Sequence, residues 1–182
     1  LARSRGLGDV YKRQIRPIAF RHERGAVMAA DGYSRISMRK KFGVVAVQSQ
    51  AGAENAMGGI AQAAADNIPI LILLGGNSLD QISVKPNFSA VQKYQGWVKQ
   101  VEAIYSPTQV GAVMRRAFNA LKNGPPGPVV VEMTTDVCQQ NVPEEYQNYK
   151  SPSYSLQVPN TNEIAKAIEL WQKARKPVIW AG

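Results

Sequence analysis

The chain has 182 residues, 45% hydrophobic and 19% charged, with 22 Lys and Arg against 13 Asp and Glu for a net charge of +9. That apolar share supports a packed core and excludes a disordered chain, and the length allows one ordinary domain, or one domain plus the opening of another. A single cysteine, Cys138, and a single histidine, His22, exclude a disulfide scaffold, a zinc finger and a His-rich metal centre, so no metal ligand set is expected in the chain.

Residues 1–14 (LARSRGLGDVYKRQ) carry four basic groups against Asp9, a third of the net charge, with no apolar stretch and no helical period. They resemble translated adapter sequence and are set aside from the fold argument. Residues 15–21 (IRPIAFR) read as a short extended segment restrained at Pro17. From Glu23 to about Met38 the chain is rich in Ala and Met and reads as a helix. Near its end lie Arg35, Arg39, Lys40 and Lys41, a solvated cluster that complements the helix dipole. No aromatics interleave with these cations, so no nucleic-acid partner is expected.

GVVAV at 43–47 reads as a buried strand, 48–52 as a loop, and 53–66 as a helix of small residues. The apolar run 69–74, ending in Gly75-Gly76, has the unalternating pattern of a strand covered on both faces. It is far shorter than the roughly 18 residues of a membrane span, and a soluble, cytoplasmic protein without a membrane partner is expected. Residues 77–95 are irregular and polar, a mobile or ligand-facing loop. A strand follows at 97–104, and a helix opens at Pro107 with its stripe on Val110, Val113, Met114, Ala117 and Leu121. NGPPGP at 123–128 breaks that helix before a last strand at 129–133. Residues 138–160 read as a linker. Asn162 then caps a helix whose face is Ile164, Ala167, Ile168, Trp171 and Ala174, and 176–180 begins another strand. Both ends read as incomplete units. The alternation predicts an α/β fold, an open parallel sheet flanked by helices and followed by a linker and the start of a second α/β domain.

Ligands in such sheets bind at the carboxyl ends of the strands. Three stretches fall there: Arg21-His22-Glu23, Gln48-Ser49-Gln50-Ala51-Gly52, and Gly75-Gly76-Asn77. Glu23 is the sharpest candidate, since it follows a predicted strand and enters a helix. A dipole-stabilised helix-start glutamate is the structural alternative. His22 has no nearby nucleophile with which to form a triad. The 48–52 loop matches neither a Walker motif nor G-x-G-x-x-G. Glu54 in the next turn opposes an anion, so a neutral heterocycle suits this loop better than a phosphate.

Arg21-His22-Glu23-Arg24-Gly25-Ala26 followed by Met28-Ala29-Ala30-Asp31-Gly32-Tyr33-Ser34-Arg35 resembles the R-H-E-x-x-A-x-x-x-A-D-G-Y-x-R signature of thiamine-diphosphate enzymes of the acetolactate synthase and pyruvate oxidase group. Ser49-Gln50-Ala51-Gly52-Ala53-Glu54-Asn55 is similar to that group's S-G-P-G-A-x-N. Ala65-Asp66-Asn67-Ile68-Pro69-Ile70 is similar to A-x-x-D-x-x-P-x, and 127–137 to G-P-V-x-x-x-x-x-x-D-V. Residues 176–182 look like the opening of the group's middle domain. The matches are ordered and cover nearly all of 15–182.

The resemblance implies a flavodoxin-like pyrimidine-binding domain over 15–137 lacking its N-terminal part, a linker over 138–160, and a truncated middle domain over 161–182. It implies that Glu23 bonds N1′ of the cofactor's aminopyrimidine. Sharing a proton there favours the 4′-imino form, which deprotonates the thiazolium C2 for attack on a 2-keto acid. Gln48, Ser49, Ala51, Gly52 and Asn55 are implied to line the ring. Gln48 stands where Thr is common, and Gln50-Ala51 replace Gly-Pro, departures that bear on pocket shape and substrate. Phe88-Ser89 or Gln92 stands in for the group's Phe-Gln element, and Lys99 for a lysine of the next segment.

The implied cofactors are thiamine diphosphate, Mg²⁺ held by a further domain, and FAD as an option in the middle domain. The implied parent is a homodimeric or homotetrameric carboligase or lyase for 2-keto acids, acetolactate synthase-like, with this chain alone inactive. Decarboxylase, pyruvate oxidase and sulfoacetaldehyde acetyltransferase activities, or a non-catalytic flavodoxin-like interaction module, are the alternatives.

Overall fold

The structure is a computed structural model and describes residues 17–180 apart from 39, 83, 147, 148, 156 and 157. The set-aside segment 1–14, the start of the predicted 15–21 segment and the final two residues lie outside the described residues.

Helix α1 (Glu23–Ile36) leads to strand β1 (Gly43–Val47), helix α2 (Ala51–Ala65) and strand β2 (Ile70–Gly76). A 3₁₀ turn at Leu79–Gln81 and the short helix α3 (Ala90–Tyr94) connect to β3 (Gln100–Ile104). Helix α4 (Val110–Lys122), strand β4 (Val129–Thr134) and the one-turn helix α5 (Thr135–Cys138) follow, and α6 (Thr161–Lys173) comes last. The four strands form one parallel sheet in the order β1-β2-β4-β3.

The two central strands show why the unalternating runs fold as they do. Ile70, Ile72 and Leu74 of β2 turn to one face, with Val130 of β4, and pack on Val27, Ala30, Ala56, Ile60 and Tyr94 of α1, α2 and α3. Leu71 of β2 and Val129 and Val131 of β4 turn to the other face, onto Val113, Ala117 and Leu121 of α4. Successive strand residues point to opposite faces, so a helix layer on each side buries most positions of both strands, with Leu73, Gly75 and Met133 partly covered. Burial of each such Val, Leu or Ile contributes about 1.5–3 kcal/mol.

Several expectations are corrected. Strand β1 is buried only at Gly43 and Val45; Val44 is 56% exposed because β1 is an edge strand and α4 covers β2, β4 and β3 instead. Residues 17–20 form no strand: Pro17 has no N–H to give a ladder, and these residues are exposed. Residues 176–180 also form no strand and are exposed, with no neighbouring strand among the described residues to satisfy their backbone. Asn160, not Asn162, caps α6: its carboxamide oxygen accepts the Asn162 N–H at 2.9 Å. The apolar stripe of α6 buries none of its residues.

The arginine at the end of α1 is more than a solvated cation. Arg35 donates to Asp31, four residues back, at 2.9 Å and to Asp66 beyond α2 at 2.6 Å. The buried Ser34 hydroxyl donates to Pro69 O at 2.7 Å and accepts the Gly43 N–H at 2.8 Å. These bonds tie the far end of α1 to β1 and to the turn before β2. They fix the opposite end of α1, where Glu23 sits, relative to the sheet.

Candidate functional site

The carboxyl ends of parallel strands gather the turns after β1 and β2 at one edge of the sheet, and α1 begins beside them. His22 caps α1, its Nδ1 accepting the Arg24 N–H at 3.2 Å. That bond spends His22 on the helix start. Glu23, the first residue of the helix, is half-buried, and its Oε2 accepts from Asn55 Nδ2 of α2 at 3.2 Å. Its carboxyl is held below the ordinary carboxylate range, chiefly by the backbone N–H at the helix start, then by Asn55, with a smaller contribution from nearby His22; the opposing effect of burial is outweighed.

Close approach of α1 and α2 makes the Glu23–Asn55 pair possible. A Cβ at Gly59 would lie 2.9 Å from the Val27 side chain, and one at Gly58 would lie 2.6 Å from the Arg24 guanidinium. Small residues on α2 therefore let the two helices pack closely. The turn between β1 and α2 is equally tight. A Cβ at Gly52 would lie 2.4 Å from Gln48 Cγ, and one at Gly75 would lie 3.0 Å from Ser49 N. Gln48 and Ala51 are exposed, Ser49 is half-buried and Gly52 is buried. Glu23 and Asn55 are thus in contact, while 48–52 form the adjoining turn.

Sequence pattern marks Gln50 only as part of this turn and, with Ala51, as a departure from the family's Gly-Pro, with no bonding partner assigned. The Gln50 backbone adopts φ 55° and ψ −116°, and its side chain reaches across to the β2–α3 connection. Nε2 donates to Asn77 Oδ1 at 2.6 Å and to Asn87 Oδ1 at 3.3 Å, and Oε1 accepts the Phe88 N–H at 3.1 Å.

The polar 77–95 region is tied down elsewhere too. The buried Tyr94 hydroxyl donates to Ala53 O at 2.8 Å, and burial raises its pKa. The Leu79 N–H donates to Asp136 Oδ2 at 2.6 Å. Phe88, Tyr94 and Trp97 form an aromatic row with centroid spacings of 5.9 and 5.0 Å. Glu132 of β4 is buried beneath α3; burial raises its pKa, while the Ala90 and Val91 N–H groups lower it.

Phe88 lies at this edge and Ser89 caps α3, accepting the Gln92 N–H. Lys99 does not: it precedes β3 at the amino edge of the sheet, where its Nζ donates to Asn123 O at 2.7 Å and to Ala120 O, closing the end of α4. A groove lined by Asn67, Trp97, Lys99 and Pro125 also opens at that amino edge. It is remote from Glu23 and lined by few groups suited to chemistry. Among the described residues no group of three or more His, Cys, Asp and Glu is placed to hold a metal ion, and no helix is long and apolar enough to cross a membrane.

Residues 7–103 match the family described as thiamine pyrophosphate enzyme, N-terminal TPP binding domain. That match begins inside the 1–14 segment set aside from the fold argument. The chain is 34% identical over 180 residues to the acetolactate synthase large subunit of Haemophilus influenzae, covering 92% of this chain and 30% of that protein. It is 33% identical over 183 residues to the same-named protein of Buchnera aphidicola subsp. Acyrthosiphon pisum, again covering 92% and 30%. It is 32% identical over 177 residues to the acetolactate synthase isozyme 3 large subunit of Escherichia coli K12, covering 91% and 29%. The chain thus spans about a third of the length of these curated relatives. With the family's motif residues gathered on α1, α2 and the turn between β1 and α2, the chain belongs to the thiamine pyrophosphate enzymes, through their N-terminal TPP binding domain.

Proposed function

We propose that the carboxyl edge of this sheet binds the aminopyrimidine end of thiamine diphosphate, with Glu23 as the catalytic carboxylate and Gln48, Ser49, Ala51, Gly52 and Asn55 lining the ring. The reading is carried by the Glu23–Asn55 contact at 3.2 Å, where α1 and α2 begin beside the turn after β1. The donor set fits the group. An ionised carboxylate can share a proton with a ring nitrogen, and the tight turn at Gly52 and Gly75 offers backbone groups to a flat, uncharged ring.

Thiamine diphosphate supplies, when bound, the acidic carbon that adds to a keto carbonyl. Glu23 holds or yields a proton at the ring nitrogen. Its lowered pKa makes it the weaker base, which favours leaving the shared proton on the ring nitrogen. Asn55 fixes the direction in which the carboxylate points. The Gln48–Ser49 turn, packed on Gly52 and Gly75, shapes the wall beside it.

The parent activity we propose is acetolactate synthase-like condensation of 2-keto acids by a homo-oligomeric carboligase or lyase. The similarity to acetolactate synthase large subunits supports it. In this reading 15–137 form the pyrimidine-binding domain, 138–160 a linker and 161–182 part of a middle domain. The Mg²⁺ and diphosphate site belongs to other parts of the parent enzyme, and the middle domain is the place for FAD if it is used. The ring-binding claim is tested by titrating the isotope-labelled chain with thiamine and following its NMR signals. Shifts at Glu23, Asn55 and 48–52 that vanish in Glu23→Ala support the site; shifts confined to the Trp97–Lys99 groove refute it.

A further inference from the structure

We propose that Gln50 is a positioning residue for this site: its carboxamide holds both arms of the β2–α3 connection, Asn77 and Asn87-Phe88, against the turn that carries Gln48 and Ser49. This inference rests on the reading of that edge as the cofactor's pyrimidine site.

Three observations carry it. The first is conformational. A φ of 55° is rare for a residue with a side chain and persists only where the surroundings over-determine it. Glycine would make the same turn without strain, so turn formation alone does not account for a glutamine here. The second is connectivity. Gln50 Nε2 donates to Asn77 Oδ1, Asn77 Nδ2 donates to Phe88 O at 3.0 Å, and the Phe88 N–H returns to Gln50 Oε1. This closed ring uses each amide nitrogen as donor and each oxygen as acceptor, so the orientations of the two carboxamides are mutually consistent. Asn87 extends it, accepting from Gln50 and donating to Gln81 O at 3.2 Å.

The third is placement. Gln50 caps α2, the helix whose Asn55 meets Glu23, and Phe88 is buried edge-on to Tyr94, whose hydroxyl bonds Ala53 of the same helix. One side chain therefore registers the β2–α3 connection to the helix that orients the catalytic carboxylate.

The test compares Gln50→Gly with Gln50→Glu. In the 182-residue chain, Gln50→Gly is expected to leave the melting temperature unlowered, since backbone strain is relieved, while Phe88 amide exchange speeds on the order of tenfold and Ile72 exchange is unchanged. Gln50→Glu keeps the acceptor for Phe88 but loses the donor to Asn77. It should restore Phe88 protection and leave the Asn77 side-chain amide signals displaced. In the intact enzyme, Gln50→Gly is expected to raise the Kd for thiamine diphosphate on the order of tenfold, with Gln50→Glu between.

Unchanged Phe88 exchange in Gln50→Gly overturns the proposal, as does faster exchange with an unchanged Kd. Glu23→Gln separates the two claims. If it loses affinity while Gln50→Gly does not, the role of Gln50 alone fails. If neither loses affinity, the cofactor reading fails and takes this role with it.

Discussion

The Asn55 carboxamide donates to Glu23 Oε2 across 32 residues of sequence, joining two helices that both begin at the carboxyl edge of the sheet. With the N–H at the start of α1, that bond stabilises the ionised carboxylate. Asn55→Ala should raise the Glu23 pKa toward its ordinary 4.5, as read by an NMR titration of the side-chain carboxyl. The native pKa lies below the unfolded one. The stabilisation from Glu23 is therefore full above about 4.5 and is lost as pH falls through the native value. Glu23→Gln should melt below the wild-type chain at pH 7, and the gap should close on acidification.

Packing of α1 on β1 makes a second prediction. A Cβ at Gly43 would lie 2.3 Å from Ala30 O, a backbone atom that cannot swing aside. Gly43→Ala should cost about 1–3 kcal/mol or more of stability in denaturant unfolding. At Gly32, inside α1, an added methyl group would meet no atom within 4 Å, and Gly32→Ala should stabilise by about 0.5–1 kcal/mol.

Glu132 has the opposite linkage to Glu23. Burial holds its native pKa above the unfolded value, so the native state binds its proton more tightly. Its charged form weakens stability at high pH, and that loss is relieved as pH falls through the raised native pKa. Glu132→Gln should flatten this part of the stability–pH curve, measured by thermal melts between pH 7 and pH 5. An unaltered curve would place the titration elsewhere.

Much of this fold was legible because β2 is an uninterrupted apolar run between Pro69 and the Gly75-Gly76 pair. Residue type alone specifies a strand buried on both faces there. The start of α1 was legible for the same kind of local reason. Strand pairing was not: whether 15–21 or 176–180 joins a sheet depends on a neighbour elsewhere in the chain, and the described part of neither has one. The exposure of Val44 likewise follows from sheet order, which periodicity does not contain. Asp31 and Arg35 stand four apart on a helix, a spacing that signals an ion pair, but nothing in the sequence marked Asp66 as its third member. For the candidate site, Glu23 and the 48–52 turn could be chosen from pattern. The Gln50 network could not, because glutamine is not a residue type that signals a left-handed backbone.

In the proposed reading the described edge offers the cofactor a carboxylate and carboxamides, and Glu54 in the first turn of α2 opposes an anion. The chain alone should therefore bind thiamine diphosphate with Mg²⁺ more weakly than about 1 μM in calorimetry and show no turnover of pyruvate. Micromolar binding would mean that the chain itself holds the diphosphate.

The most direct measurement is hydrogen–deuterium exchange at C2 of thiamine diphosphate bound to the intact enzyme, followed by NMR in wild type and Glu23→Gln. A neutral amide cannot take up the proton that Glu23 is assigned to share, so exchange should fall to the rate of free cofactor in Glu23→Gln. Exchange that persists at the wild-type rate, with the cofactor still bound, would contradict the role given to Glu23.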